Sequence, residues 1–218
     1  MRVFVLGITG AVGGLLADRL VEAGDTVWGL VRSEQQREAL AARGVETVVG
    51  DLAELSASEL AAAFRGSDVI VFSAGSNGGA RSVTTAIDGH AVSVALDAAH
   101  RAGVGRFVLV SVMPESWRER ELSDDEEYYF AVKKQADVAV SRSDLDWVIL
   151  RPALLTDEEG TGRVSLGPAE VHEQIARADV AAVLAALVHE PRVRRRILEL
   201  NSGSEPVEEA LAAVVARL

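Results

Sequence analysis

Short β-branched apolar runs alternate with longer Ala- and Leu-rich stretches along most of the chain, and the two kinds of run carry different periods. The apolar runs at 2–6, 26–31, 45–49, 69–72, 107–112 and 147–150 have the length of strands rather than helices and predict a buried sheet. Between them, apolar positions recur every three or four residues. Val12, Leu15, Leu16 and Leu20 predict a helix over 11–23 that stops at Gly24. Further helices are expected over 34–42, closed by Gly44, and from a cap at Ser56 or Ser58 to about residue 64. A long helix over 82–101, with Val83, Ile87, Ala91, Val94 and Ala98 on one stripe, and another over 127–141 complete the series. Strands and helices in strict alternation predict an α/β chain, doubly wound, with a mainly parallel sheet and helices on both faces.

The winding breaks in two places. Residues 113–127 are polar and dense in acid around the isolated Trp117, and they read as a loop beside the strand ends. Arg151-Pro152 closes the sixth strand, because proline has no N–H for the ladder. Beyond it, 156–168 reads as an irregular excursion with a short extended GTGRV piece. A helix over 177–188, a strand over 197–200 and an amphipathic helix over 207–218 follow. No linker or repeat interrupts the pattern, so residues 1–218 are expected to form one domain with a small C-terminal region.

Charge and composition narrow the function classes. Acidic residues outnumber basic ones 33 to 22, and a net charge of -11 repels polyanions, so neither nucleic acid nor an anionic membrane surface is expected as a partner. There is no cysteine, which excludes disulfides and thiolate chemistry. The histidines His90, His100, His172 and His189 are scattered, and no metal site is expected. The longest late apolar stretch, 180–188, is far short of the roughly 20 residues a membrane span needs. The N-terminal apolar run is broken by glycines and lacks signal-peptide character, so a cytoplasmic location is expected.

Gly7-Ile8-Thr9-Gly10-Ala11-Val12-Gly13 falls where the first strand turns into the first helix. In that context Gly7, Gly10 and Gly13 let the backbone approach a pyrophosphate closely, and the helix amides and dipole face the anion. This predicts a dinucleotide site of the Rossmann type. The second strand ends at Arg32-Ser33, where a carboxylate would select the unphosphorylated ribose of NAD(H). An arginine there pairs instead with a 2′-phosphate, in charge-assisted bonds of about 1.5 to 3 kcal/mol. Ser33 can donate one more bond. NADP(H) is therefore favoured, with NAD(H) as the alternative.

With these motifs the chain resembles the atypical or extended short-chain dehydrogenase/reductases, the small NAD(P)H-binding group related to NAD-dependent epimerases and dehydratases. The resemblance runs through GITGAVG, Gly50-Asp51-Leu52, AGVGRFVLVSV and DWVILRPALLTDEEGTGRV and covers nearly the whole chain. It implies that Asp51 and Leu52 flank the adenine and that the Ala74-Gly75 loop passes near a ribose. It also implies that Pro152, Ala153 and Leu155 lie along the nicotinamide, although Ala153 stands where related enzymes commonly have glycine. The family's chemistry uses a serine at the end of the fifth strand and a tyrosine with a lysine four residues on. Ser111, Tyr129 and Lys133 match, whereas Tyr128 has Val132 at that spacing. On this reading Lys133 lowers the tyrosine pKa and bonds the nicotinamide ribose, Ser111 holds the substrate oxygen, and Tyr129 exchanges the proton.

The resulting expectation is an NADP(H)-dependent oxidoreductase acting on a small carbonyl or quinone-like molecule. The alternatives are a non-catalytic redox sensor that only binds the dinucleotide, and a sugar-nucleotide epimerase or dehydratase. Substrate choice is expected in 113–127 and 152–175, outside the carboxyl ends of the strands, with Trp117, Leu155 and His172 as candidates for the pocket wall. Both a monomer and a homodimer are compatible with the resemblance.

Overall fold

The computed structural model describes residues 1–76, 78–115 and 121–218; Trp117 lies outside the described residues. Strands β1 (Arg2–Leu6), β2 (Thr26–Val31), β3 (Glu46–Val49), β4 (Val69–Phe72), β5 (Arg106–Val110), β6 (Asp146–Pro152) and β10 (Arg196–Ser202) pair in parallel. Antiparallel β8 (Arg163–Gly167) and the short β11 (Glu205–Pro206) extend one edge. The order across the sheet is β11-β8-β10-β6-β5-β4-β1-β2-β3, the doubly wound arrangement that the alternation predicts. Because β1 lies between β4 and β2, the chain reverses direction there and opens a crevice at the carboxyl edge.

Strand residues point alternately to two cores. Val3, Val5, Val71, Val108 and Val148 meet α1 (Ala11–Glu22), α7 (Arg177–His189) and α8 (Val207–Val215) through Leu16, Leu20, Leu184 and Leu211. Phe4, Ile70, Phe72, Phe107 and Ile149 face the other side, against α3 (Ala57–Phe64), α5 (Ala91–Ala102) and α6 (Asp124–Arg142). Helix α2 (Glu34–Ala41) buries only Leu40.

Several expectations are corrected. The helix expected over 82–101 is α4 (Arg81–Val83) and α5 joined by a π-helical segment, Thr84–His90. Its wider turn shifts the register, so Thr84 and Asp88 are buried where the regular stripe predicts Val83, which is exposed, and Ile87, which is half-buried. Helix α6 starts at Asp124 and not near 127, because Ser123 and Glu126 form a capping box. The 156–168 excursion contains β8, and β7 (Leu154–Thr156) pairs with β9 (Gln174–Ala176) in a separate two-stranded sheet. Among the described residues, no helix is long and apolar enough to cross a membrane.

Arg106 anchors α7 to the sheet. It is buried, and its guanidinium donates to the carbonyls of Leu187, Glu190 and Val193 at 2.6, 3.1 and 3.1 Å, closing the C-terminal end of the helix. Burial pulls its pKa below the usual arginine value. Arg106→Met leaves the Val193 carbonyl without this donor, at about 1 to 3 kcal/mol for an unpaired buried carbonyl, and takes one of two donors from Leu187 and Glu190, whose carbonyls keep the backbone N–H groups of Glu190 and Val193 at 3.3 and 3.2 Å. Denaturant unfolding of the variant is expected to show a loss of roughly 3 kcal/mol. A loss within measurement error would mean that α7 does not depend on this contact.

Candidate functional site

The turn from β1 into α1 sits against the loop after β4. Gly7 has φ +85°, and a Cβ there would come within 2.6 Å of the Ala74 Cα. A Cβ at Gly13 would collide with the Gly7 carbonyl and approach Ser73 Oγ to 2.8 Å. The Gly10 N–H donates to the Gly7 carbonyl at 2.9 Å, and the first α-helical bond runs from Gly14 N–H to the Gly10 carbonyl at 2.8 Å. Thr9, Gly10 and Ala11 are exposed, whereas Val12 and Gly13 are buried. Helices α2, α3 and α6 are capped by Ser33, Ser56 and Ser123, but α1 has no side-chain cap and no acidic residue in its first turn. Its amides and positive dipole end are thus left to an outside anion, which suits a dinucleotide pyrophosphate.

The end of β2 lies next to this turn. The Arg32 N–H donates to Gln36 Oε1 at 2.8 Å, and Ser33 Oγ accepts from the Gln36 N–H at 3.3 Å. These contacts fix the backbone while the Arg32 side chain stays exposed without an ion pair among the described residues. Arg37 is instead paired with Glu34 at 2.7 Å. A groove of about 380 Å³ between α1 and α2 brings Thr9, Gly10 and Ala11 to Gln36 and Arg43. Arg43 is held by Asp18 Oδ1 and the Gly14 carbonyl, and nothing in the sequence motif singles it out. After β3, Asp51 folds its carboxylate onto the Ala53 N–H at 2.9 Å, while Leu52 packs on the core that contains Phe4. Ala74 and Gly75 are at the same edge, Ala74 half-buried and Gly75 exposed.

Tyr129 and Lys133 lie one turn apart on α6. Lys133 is buried; its ammonium donates to the Val110 carbonyl at 3.1 Å and is 3.4 Å from Asp88 Oδ1. Burial first, and the Asp88 carboxylate second, push the Tyr129 phenol well above its ordinary pKa. The expected lowering by Lys133 is therefore corrected in direction, because burial of the phenol and the Asp88 carboxylate both favour its neutral form. Ser111 is buried, and its Oγ lies beside Asp137 without reaching hydrogen-bonding geometry. Arg151 grips the other Asp137 oxygen through Nε at 2.9 Å and Nη2 at 2.8 Å. Burial raises the Asp137 pKa, against the opposing pull of Ser111, Arg151 and Lys133. Tyr128, the other tyrosine, bonds Thr85 Oγ1 at 2.6 Å and lies under Arg81.

Sequence reasoning missed Asp88, Asp137 and Arg151. The π-helical turn hides Asp88 from a regular helical stripe, but Asp137 could have been found, since it follows Tyr129 and Lys133 at the same four-residue spacing. On the far side, Pro152 and Ala153 are buried and Leu155 is half-buried against the core. His172 is half-buried in the segment before β9.

Comparison with known proteins agrees with this geometry. The sequence profile of the NAD(P)H-binding family matches residues 7–191. The uncharacterized sugar epimerase YhfK of Bacillus subtilis is 36% identical over 97% of this chain and 99% of its own. A Bacillus halodurans structure, described as a candidate NAD-dependent epimerase/dehydratase, superposes with a TM-score of 0.88 at 33% identity over 100% of both chains. ChuY of Escherichia coli O157:H7, an anaerobilin reductase, superposes with a TM-score of 0.77 at 28% identity, covering 93% of this chain and 97% of its own. The glycine cradle at the crevice and these matches place the chain in the NAD(P)H-binding family of atypical short-chain dehydrogenase/reductases.

Proposed function

We propose that this protein is an NADP(H)-dependent oxidoreductase that reduces a small carbonyl or quinone-like substrate, with Tyr129 as the proton donor. The observation that carries the reading is a half-buried phenol, Tyr129, one helical turn from the buried Lys133, at the edge where the uncapped α1 and its glycines offer room for a dinucleotide. The reductase activity in the name of the ChuY relative supports the class.

A bound nicotinamide supplies the hydride, two electrons and one hydrogen, to the carbonyl carbon. The chain supplies the rest. The amides at the start of α1 hold the pyrophosphate, and the Ala74-Gly75 loop, Pro152, Ala153 and Leu155 border the crevice. As negative charge grows on the substrate oxygen, the Tyr129 hydroxyl donates its proton there, and the phenolate is refilled from solvent. Lys133 is placed to bond a ribose hydroxyl and to offset the phenolate charge as it forms. Ser111, buried beside Asp137, reaches a substrate oxygen only if its hydroxyl turns out of that contact.

The exposed Arg32 guanidinium, without an ion pair among the described residues, supports selection of the 2′-phosphate. Arg32→Ala is expected to weaken NADPH binding by about ten- to a hundredfold and to leave NADH binding nearly unchanged, as read by calorimetric titration. Equal losses for both would remove the argument for NADP(H). The proton-donor role is tested by following NADPH oxidation across aldehydes, ketones and quinones. Tyr129→Phe should lower turnover by about 10² to 10⁴ with NADPH affinity retained. Turnover undiminished in the variant would exclude Tyr129 as the donor, and tight binding with no turnover of any substrate by the wild type would favour a sensor.

A further inference from the structure

On the face of the sheet that carries α6, strands β6 and β10 turn polar toward the carboxyl edge. Ile149 and Ile197 belong to the apolar core on that face, and Arg151, Glu199 and Asn201 follow them at two-residue steps. Glu199 stands opposite Arg151 on one side and Gly167 on the other, and Asn201 stands opposite Ser165. Ser111 follows Val110, which pairs with Leu150, so this polar row begins at the serine of the site and crosses two strand spacings, roughly 10 Å, to Glu199. Residues 168–173 are tied to its far end. The Glu170 N–H donates to Glu199 Oε2 at 2.9 Å, and the Glu170 carboxylate accepts from Ser165 Oγ at 2.6 Å. That carboxylate fits because residue 167 is glycine: a Cβ there would come within 2.7 Å of it.

Two observations give the row a chemical preference. Arg151 is committed to Asp137 at 2.8 Å and is 3.8 Å from Glu199, and Glu170 and Glu173 have no ion pair among the described residues. The 168–173 segment adds His172 but no lysine or arginine. Asn201 supplies the second observation. It is 4% exposed, and its Nδ2 donates to Glu173 Oε2 at 3.4 Å, an orientation fixed by chemistry, since only the NH2 end of an amide can face a carboxylate. Its Oδ1 is therefore the other end of the amide, buried and without a donor among the described residues. A buried acceptor of this kind is costly unless a donor reaches it.

We propose that this row is a substrate subsite for an organic ammonium, so that the molecule reduced is an amino-substituted aldehyde or ketone whose cationic group is held by Glu199, Glu173 and Asn201 Oδ1. The inference rests on the reductase reading for the reacting end and deepens it at the other. Carboxylates without a cation and an acceptor without a donor are satisfied by one and the same group, a positively charged N–H. A carboxylate or phosphate is disfavoured in the same place, because the guanidinium within reach is already held by Asp137. The length of the row separates the two ends, with the carbonyl near Ser111 and the ammonium several bonds away. Asn201 follows Leu200, whose carbonyl accepts from the Ala153 N–H at 2.8 Å, so the subsite adjoins the segment proposed to border the nicotinamide. The net charge of -11 also draws cations toward the molecule.

The test uses a matched set of para-substituted benzaldehydes with NADPH oxidation as the readout. 4-(Dimethylaminomethyl)benzaldehyde is cationic at neutral pH, 4-isobutylbenzaldehyde is its uncharged isostere, and 4-carboxybenzaldehyde carries the opposite charge. The wild type is expected to show a kcat/KM for the cation about tenfold or more above that for the isostere, with the carboxylate below both. In E173Q/E199Q the ratio of cation to isostere should fall toward one, whereas a merely structural role would lower all rates together and leave the ratio intact. Glu173→Gln alone, at the exposed rim, should lower the ratio in the same direction and serves if circular dichroism shows that the double variant does not fold. A wild-type ratio of one or less, or a ratio unmoved in a folded variant, would overturn the proposal. If no aldehyde is reduced, NMR titration of N,N-dimethylbenzylamine and of phenylacetate into the protein with NADPH decides. Binding of the amine alone, weakened in the variant, would sink the reductase reading and leave the subsite standing, and no preference for the amine would overturn the subsite as well.

Discussion

Between the end of β1 and the loop after β4 there is no room for a side chain. At Gly7 and Gly13 a single added carbon would meet backbone atoms of Ala74 and of Gly7 itself. This close approach fixes where α1 begins and leaves its first turn at the surface without a cap. It also sets the path of Ser73, whose hydroxyl donates to the Leu6 carbonyl at 2.9 Å, and so the path of the chain to Ser76. From Ser76 the constraint passes through Asp88 to Lys133, so the glycine turn and α6 are mechanically one unit.

That unit carries an unusual density of charge for a protein interior. Asp88, Lys133 and Asp137 are each at most 3% exposed, and Arg151 extends the series toward Glu199 on β10, 3.8 Å away. Such a chain adds little net stability, since the desolvation of each ion offsets most of the attraction. Its value is in orientation. Each charge is held by neighbours on different elements: the π-helical turn, α6, β6 and β10. Removing any one of them leaves its partner buried without compensation, a penalty of about 3 to 5 kcal/mol for a fully buried pair. Burial first, and the Asp88 carboxylate second, push the Tyr129 phenol above its ordinary pKa.

The sheet was legible in the sequence because it is buried on both faces. Runs such as Val69–Phe72 have no polar alternative, and the glycines at 7, 10 and 13 have meaning only at a strand-to-helix turn. Features set by side-chain geometry were not legible. The π-helical turn cannot be seen in a helical stripe, so Asp88 stayed hidden and Val83 was assigned to the core. The acid-rich start of α6 looked like a loop, although the Ser123/Glu126 box marks a helix. Beyond Pro152 the strands β7, β8 and β9 are short and partly polar, and their pairing depends on contacts far apart in the chain. The spacing of Tyr129 and Lys133 was readable. The direction in which the phenol titrates was not, because it depends first on tertiary burial and then on a carboxylate from another element.

The central claim is that the glycine cradle at the start of α1 holds a dinucleotide. Gly10 is its exposed member, with φ -77°, which other residues tolerate, and a Cβ there would be 3.1 Å from the Gly7 carbonyl. Gly10→Ala therefore places a methyl group in the cradle with little demand on the backbone. Calorimetric titration of NADPH into the wild type and into this variant, with thermal melting as a control for folding, is the most direct measurement. The account predicts saturable binding to the wild type and an affinity lower by about tenfold or more in the variant, a loss of roughly 1.4 kcal/mol. No binding to the wild type, or equal affinity in a folded variant, would contradict it.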